Sequence, residues 1–367
     1  MKNLTRVSII GGGVYGASSA YELAKSGFDV TLIEKDSIGA HASGKNPGNI
    51  NPILACPNDL KPFAIESFYR HQSLATELAQ FANKPYKLEE VRRLMMCFNE
   101  NDHHELDAVA NEFNEMFGFK ATWIDQSQIK KIDDRIASNI PSALLLEGNL
   151  SLDSFAYNQA LIEGAKHYGA TLFPSTVLGV SENNQGYLVN TQHGDIETDV
   201  LVLATGSLVH QYHQWLGIDI TVQSVKGEML RLKLKDKNIT HDLTHGLISL
   251  YRRGEDELWL GVTREIMVSD ELPTDAGKKT LLHGAESIFP AIKEAVLIEH
   301  LASIRPMTPS GIPIVDKVPG FNNIFIANGG GIKGVLTSAG VGLAINDLLL
   351  NGVTSLPIQD FRLARSI

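Results

Sequence analysis

The feature that most constrains this chain is a glycine turn set between two apolar strands near its start. Arg6–Ile10 (RVSII) is short, apolar and rich in β-branched residues, and so predicts a buried strand. It runs into Gly11-Gly12-Gly13-Val14-Tyr15-Gly16, a G-x-G-x-x-G turn. A helical pattern follows (Ala17, Ala20, Leu23, Ala24) and closes at Gly27, a C-cap glycine. Val30–Ile33 predicts a second strand, ending on Glu34. In this setting Gly11 permits a sharp turn, Gly13 lets backbone N–H groups approach a pyrophosphate, and Gly16 lets helix and strand pack closely. The helix N-terminus adds partial positive charge for the diphosphate. Glu34 is placed to accept hydrogen bonds from an adenosine ribose. The six-residue turn alone fits any Gly-rich turn of an α/β protein. Strand, helix, second strand and terminal acid together specify a dinucleotide site. An acid at position 34 disfavours a 2′-phosphate, so NAD or FAD is expected rather than NADP.

With 367 residues the chain has room for two domains or one large α/β body. The net charge of −10, with no basic block, disfavours a polyanion as the main ligand, so nucleic acid is not the first reading. Cys56 and Cys97 fit neither a metal nor a redox spacing and read as reduced thiols of a reducing compartment. The first strand begins almost at once, which leaves no room for a signal peptide. No apolar run approaches the ~20 residues of a membrane span. A cytoplasmic protein is expected, and a homo-oligomer stays open. His103 and His104 are neighbours on a predicted helix and do not face one ligand, so no metal site is expected.

Lys35–Pro52 (KDSIGAHASGKNPGNINP) is crowded with Gly, Asn, Ser and Pro and predicts an irregular loop. As the continuation of the second strand it lies at the carboxyl edge, where ligands of such folds bind; a plain surface loop is the other reading. Helices are predicted over 60–81, 102–117, 126–132, 153–168, 274–289 and 335–350. Strands are predicted over 93–98, 143–146, 171–173, 176–180, 187–189, 199–204, 227–235, 248–251, 258–262, 296–304 and 324–327. In 227–235, Leu230, Leu232 and Leu234 alternate with Arg231, Lys233 and Lys235. This is the pattern of an antiparallel strand with one wet face, whose lysines blunt a sheet edge.

Gly11–Gly16, Glu34-Lys35, and Ala42-Ser43-Gly44 followed by Asn46, Gly48 and Asn49 resemble the FAD-binding opening of the D-amino acid oxidase family, which includes glycine and sarcosine oxidases and D-amino acid dehydrogenases. Thr205-Gly206 resembles the strand end that touches FAD in many flavoproteins. Val225-Lys226-Gly227-Glu228 and Gly261-Val262-Thr263 resemble the substrate domain of glycine-oxidase-like members. Ile304-Arg305-Pro306, then Gly311-Ile312-Pro313, then Gly329-Gly330-Gly331-Ile332-Lys333-Gly334 opening a helix, resemble the family's C-terminal signature. The resemblance thus spans essentially the whole chain in order. It implies FAD, and an α/β fold in which a Rossmann-like FAD-binding domain (1–85, 150–215 and 305–367) carries an inserted mixed-sheet α+β substrate domain (86–149 and 216–304).

The family's reaction oxidises a C–N bond beside a carboxylate, by hydride transfer from a small amine or amino acid to flavin. The acceptor is then O2 or a quinone-type electron carrier. A carboxylate substrate calls for a guanidinium fork, and Arg305 matches the arginine that the family uses for it; a structural ion pair is the plainer reading. Lys333 is open between a basic group at the flavin and a solvated helix-start lysine. Tyr251 is open between a hydroxyl for the substrate and ordinary packing. His41 precedes the Ala-Ser-Gly loop and is open between a covalent flavin link, a non-covalent role and a loop histidine. Val177 is open between lining the adenine through its backbone and a core valine. Two other functions remain in play: the oxidase half of the tRNA wobble-uridine methylaminomethyl enzyme, which the Ala42–Gly44 and Gly331–Gly334 loops also resemble, and a flavin-bound accessory or electron-transfer subunit.

Overall fold

A computed structural model describes residues 5–81, 86–236, 238–268 and 270–363. The chain forms two compact units. The first comprises Met1–Leu88, Leu152–Ser224 and Arg305–Ile367, and the second Glu89–Ser151 and Val225–Ile304. The fold is α/β, with a mainly parallel nucleotide-type sheet in the first unit and a mixed sheet with helices in the second.

The first unit is built on a six-stranded sheet in the order Ile314–Lys317, Ile324–Asn328, Val200–Leu203, Arg6–Ile10, Asp29–Glu34 and Thr171–Pro174. The last five are mutually parallel and Ile314–Lys317 is antiparallel. Such strands are buried on both faces, and Val7, Ile9, Val30, Leu32, Leu201 and Val202 are sealed from solvent. The helix after the glycine turn, Val14–Lys25, ends in a Schellman motif. Phe28 N–H reaches Leu23 O and Gly27 N–H reaches Ala24 O, with Gly27 at φ 88. The helices Lys61–Leu78 and Gly334–Asn351 and the helix Ser154–His167 complete the layer packed around Val14–Lys25. A three-stranded antiparallel sheet, Val177–Asn183, Gly186–Thr191 and Ile196–Thr198, belongs to the same unit.

In the second unit, Gln223–Lys233, Glu257–Gly261, Ile248–Arg253 and His241–His245 run antiparallel, and His241–His245 pairs in parallel with Leu88–Cys97. The helix Asp275–Ile288 covers one face, and Leu230, Leu232, Leu250, Leu260, Leu281 and Phe289 form its core.

Four expectations need correction. The strand carrying Leu230, Leu232 and Leu234 is not an edge: it has Glu257–Gly261 on one side and Val296–Met307 on the other. Its wet-face Arg231 serves cross-strand pairs instead, to Glu257 at 3.0 Å and to Glu299 at 2.9 Å, and Lys235, just past the strand, pairs with Glu294 at 3.2 Å. The loop 35–52 contains a two-residue strand, Asn49–Ile50. Strands at Lys120–Asp125 and His241–His245, and the helix His210–Leu216, had no clear periodic signal. Finally, the segment Gly331–Asn351 is long and apolar enough to cross a membrane by length and composition. It is mostly buried and packs on two neighbouring helices, which accounts for its apolarity as that of a core helix.

Candidate active site

The glycine turn is as compact as backbone allows. Gly11, at φ 110, donates its N–H to Ile33 O at 2.9 Å, and a Cβ there would strike the carbonyl of Ala204. A Cβ on Gly16 would strike the carbonyl of Gly11. Gly13 differs: among the described residues, its own chain neighbours aside, a Cβ there would meet within 4 Å only Ser43 Oγ, at 3.0 Å. Gly13 is also the N-cap of Val14–Lys25 and offers no side-chain cap. Val14 N–H is taken by Ser43 Oγ at 3.0 Å. An open, glycine-lined helix N-terminus of this kind suits a pyrophosphate, and on that ground the residues present fit a dinucleotide.

Glu34 ends its strand with both oxygens engaged. Oε2 accepts Gly12 N–H at 2.6 Å and Oε1 accepts Asp36 N–H at 2.8 Å. A carboxylate has about four acceptor sites, so the same group retains capacity for ribose hydroxyls. Asp36 joins Lys35 Nζ at 2.7 Å and His41 Nε2 at 2.8 Å. The Lys35 ammonium first, and His41 second, hold the Asp36 carboxyl below the usual range. His41 is thus half-exposed and paired with an acid.

The following loop is stapled by its own asparagine. Asn46 Nδ2 donates to Ala42 O at 2.9 Å and Ser43 O at 2.8 Å, and its Oδ1 accepts Gly48 N–H at 2.9 Å. Gly44 and Gly48 have no room for a side chain, against the carbonyls of Gly39 and Leu152 respectively. Asn49 buries its Oδ1 without a hydrogen-bond partner among the described residues. Val177 is buried in the cluster that contains Ile10 and Ile33, which fits either reading of it.

The C-terminal loop meets this region through Tyr15. Its hydroxyl lies 2.6 Å from Thr337 Oγ1 and 2.8 Å from where a Cβ on Gly330 would stand. Gly329 (φ 75) and Gly331 (φ 53) take left-handed backbone, and Ile332 is exposed. Lys333 is not a solvated lysine. It is buried, and its Nζ donates to Asn51 O at 2.8 Å and Leu54 O at 2.5 Å. Arg305 lies inside the strand Val296–Met307, whereas the sequence pattern predicts that the strand ends at 304. Two residues on, Met307 forms an antiparallel bridge with Gly330, and Pro306 Cγ lies 3.9 Å from the Cβ position of Gly206. The Arg-Pro segment, Thr205-Gly206 and the Gly329–Gly334 loop therefore come together.

Tyr251 belongs to the second unit. The guanidinium of Arg93 lies 5.3 Å from its ring centre. Arg93 is buried and donates to the buried Asp242 at 3.0 Å; the other oxygen of Asp242 accepts Arg252 N–H at 2.8 Å. Asp242 thus fixes both the cation beneath the ring and the backbone beside it.

Several supporting residues were not foreseen. Asn158 is fully buried and donates Nδ2 to Gly12 O at 3.0 Å, anchoring the glycine turn from the helix Ser154–His167. A polar residue on the apolar stripe of a helix was the available signal, because buried amides need a partner. Asn51, Tyr212 and Asn328 had no comparable signal.

Comparison with known proteins gives the family. The model of the FAD dependent oxidoreductase (DAO) family matches residues 6–348. A glycine oxidase of Geobacillus kaustophilus is 26% identical over 98% of this chain and 97% of its own length. A D-amino acid dehydrogenase of Vibrio atlanticus is 24% identical over 98% and 99%. Among solved structures, the glycine oxidase from Geobacillus kaustophilus superposes with a TM-score of 0.92 at 24% identity, covering 99% of this chain and 100% of that one. The L-proline dehydrogenase from P. horikoshii does so with a TM-score of 0.87 at 21% identity, covering 100% and 98%. The chain belongs to the FAD-dependent oxidoreductase (DAO) family, and is an enzyme that uses FAD.

Proposed function

We propose that this enzyme oxidises the C–N bond of a small amino acid or secondary amine, of the glycine, sarcosine or D-amino acid type. The observation that carries the proposal is the bridge from Met307 to Gly330, which holds Arg305 two residues from the glycine loop. The names of the similar proteins, glycine oxidase and D-amino acid dehydrogenase, support the same substrate class.

When bound, FAD would supply the two-electron acceptor chemistry, with O2 or a quinone-type carrier as the final acceptor. The α-carbon gives up its hydrogen with both electrons, the nitrogen gives up a proton, and the C–N bond becomes an imine. Water then adds to the imine and releases the amine and a carbonyl acid. The protein's share is position and charge. Gly11–Gly16, Glu34-Lys35, the loop Ala42-Ser43-Gly44 with Asn46, Gly48 and Asn49, Val177, Thr205-Gly206 and Gly329–Gly334 are assigned to the cofactor. Arg305 pairs with the substrate carboxylate through its two-pronged guanidinium. Lys333 fixes one positive charge at the start of the Gly334–Asn351 helix, and Tyr251 offers a phenol braced by Arg93. His41, already paired with Asp36, takes a non-covalent role; acid precipitation that leaves flavin on a His41 peptide would reverse this. The first unit is assigned to FAD and the second to the substrate, in a cytoplasmic enzyme.

Anaerobic mixing with glycine, sarcosine, proline and D-amino acids, followed by the loss of flavin absorbance, tests the proposal. Bleaching by one of these amines supports it. A flavin that none of them reduces, and whose spectrum no carboxylate inhibitor perturbs, favours a flavin-bound subunit without its own amine substrate.

A further inference from the structure

The strands Val200–Leu203 and Ile324–Asn328 are parallel neighbours, with Leu203 opposite Ile326, so their carboxyl ends leave the sheet at one edge. Beyond that register a side chain from elsewhere spans the gap. The phenol oxygen of Tyr212, on the short helix His210–Leu216, accepts Thr205 N–H at 3.1 Å and Asn328 Nδ2 at 3.0 Å. It also lies 2.9 Å from Thr205 Oγ1. Asn328 in turn accepts Gly329 N–H on its Oδ1 at 2.6 Å. Tyr212 is 0% exposed and Asn328 2%, so no water can replace a lost partner without opening the core.

The two loops launched from these strand ends are costly to order. Gly206, Gly329 and Gly331 stand at φ 60, 75 and 53, and glycine loses more backbone freedom than any other residue when it is fixed. The Tyr212 phenol holds Thr205, the residue before Gly206, and reaches Gly329 through Asn328. It therefore fixes the root of both loops before any ligand arrives.

We infer that Tyr212 and Asn328 form a clasp that pre-orders the Thr205-Gly206 and Gly329–Gly334 loops for FAD, so that Tyr212 is a positioning residue for the cofactor. Ordering done in the protein is ordering that binding does not have to supply. The inference rests on the reading that these loops approach FAD.

The test is a titration of apoprotein with FAD, read by quenching of flavin fluorescence, with folding checked by circular dichroism. Tyr212→Phe leaves the Thr205 N–H and the Asn328 amide without their acceptor, and the FAD Kd should rise roughly tenfold or more. Asn328→Ser, which removes the amide donor but keeps a short acceptor, should weaken binding in the same direction. The double variant should be weaker by less than the product of the two effects, because both act through one network. An FAD Kd within twofold of wild type in folded Tyr212→Phe, even with a lower melting temperature, would make the phenol merely structural and overturn the inference. If Tyr212→Phe does not fold, Asn328→Ser decides alone: a raised Kd supports the clasp and an unchanged one removes it. Glu34→Gln separates this from the wider dinucleotide reading. If that variant binds FAD more weakly while Tyr212→Phe does not, only the clasp falls; if neither changes, the assignment of the dinucleotide site is at fault.

Discussion

At the scale of single residues, Glu34 and His71 show how one buried or half-buried group can carry a measurable share of function or stability. Glu34 joins the glycine turn to the end of its strand through two backbone N–H groups. Replacing it with Gln removes the charge that strengthens every hydrogen bond it accepts, from backbone or from ribose. Glu34→Gln should weaken FAD binding by ~1.5–3 kcal/mol, the worth of a charged hydrogen bond. Unchanged affinity in a direct titration would mean that Glu34 is not at the ribose. His71 is fully buried, with Nε2–H shared between Val335 O at 2.9 Å and Leu336 O at 3.0 Å, while Nδ1 has no hydrogen-bond partner among the described residues. A second proton would have to sit on that partnerless nitrogen, and burial pushes the imidazole down to about 4. The unfolded chain titrates at the ordinary value of about 6.5. Between these values the unfolded state binds a proton that the native state refuses, so stability falls as pH drops. The slope from this group is at most ~1.4 kcal/mol per pH unit, and it vanishes above about pH 6.5. Denaturation midpoints at pH 5 and 7.5 should differ more in wild type than in His71→Gln. Equal differences would show that His71 is not the group responsible.

At the scale of elements, the helix Gly334–Asn351 approaches its neighbours closely through two glycines. A Cβ on Gly340 would enter Ser67 and Phe63, and one on Gly342 would enter Ser18. Gly342→Ala should therefore lose ~1–3 kcal/mol by overpacking, seen as a lower thermal midpoint. An unchanged midpoint would show that the helix pair can separate freely. The glycine turn and the alternating Leu230, Leu232 and Leu234 were visible in the sequence, because a local pattern carried the signal. His241–His245 was not visible. Its residues HDLTH have no apolar alternation, and its buried Asp242 finds its partner Arg93 149 positions away in the chain. The clasp was hidden for the same reason: Tyr212 meets Asn328 across 116 positions. Contacts of that range are set by tertiary packing and leave no mark in a short window.

At the scale of the whole molecule, the family match spans residues 6–348, a stretch that contains the glycine turn, the Arg-Pro segment and the C-terminal glycine loop. The fold and cofactor were legible because each motif needs its neighbours in that order. Substrate choice was less so: the setting of Tyr251, proposed above to face the substrate, is made by Arg93 and Asp242 from other strands of the second unit. The central claim is that Arg305 holds a substrate carboxylate and does not merely support the fold. Truncating one partner of a buried charge pair typically costs ~2–5 kcal/mol, roughly thirty- to several-thousand-fold at ~1.4 kcal/mol per decade. Arg305→Lys should recover only part of this, because a point charge cannot reproduce the fork. The deciding measurement is the anaerobic rate of flavin reduction in Arg305→Ala with the best amine found, scored per bound flavin. A loss of that size with normal FAD content is the predicted result; normal turnover per remaining flavin, with flavin itself lost, would contradict it.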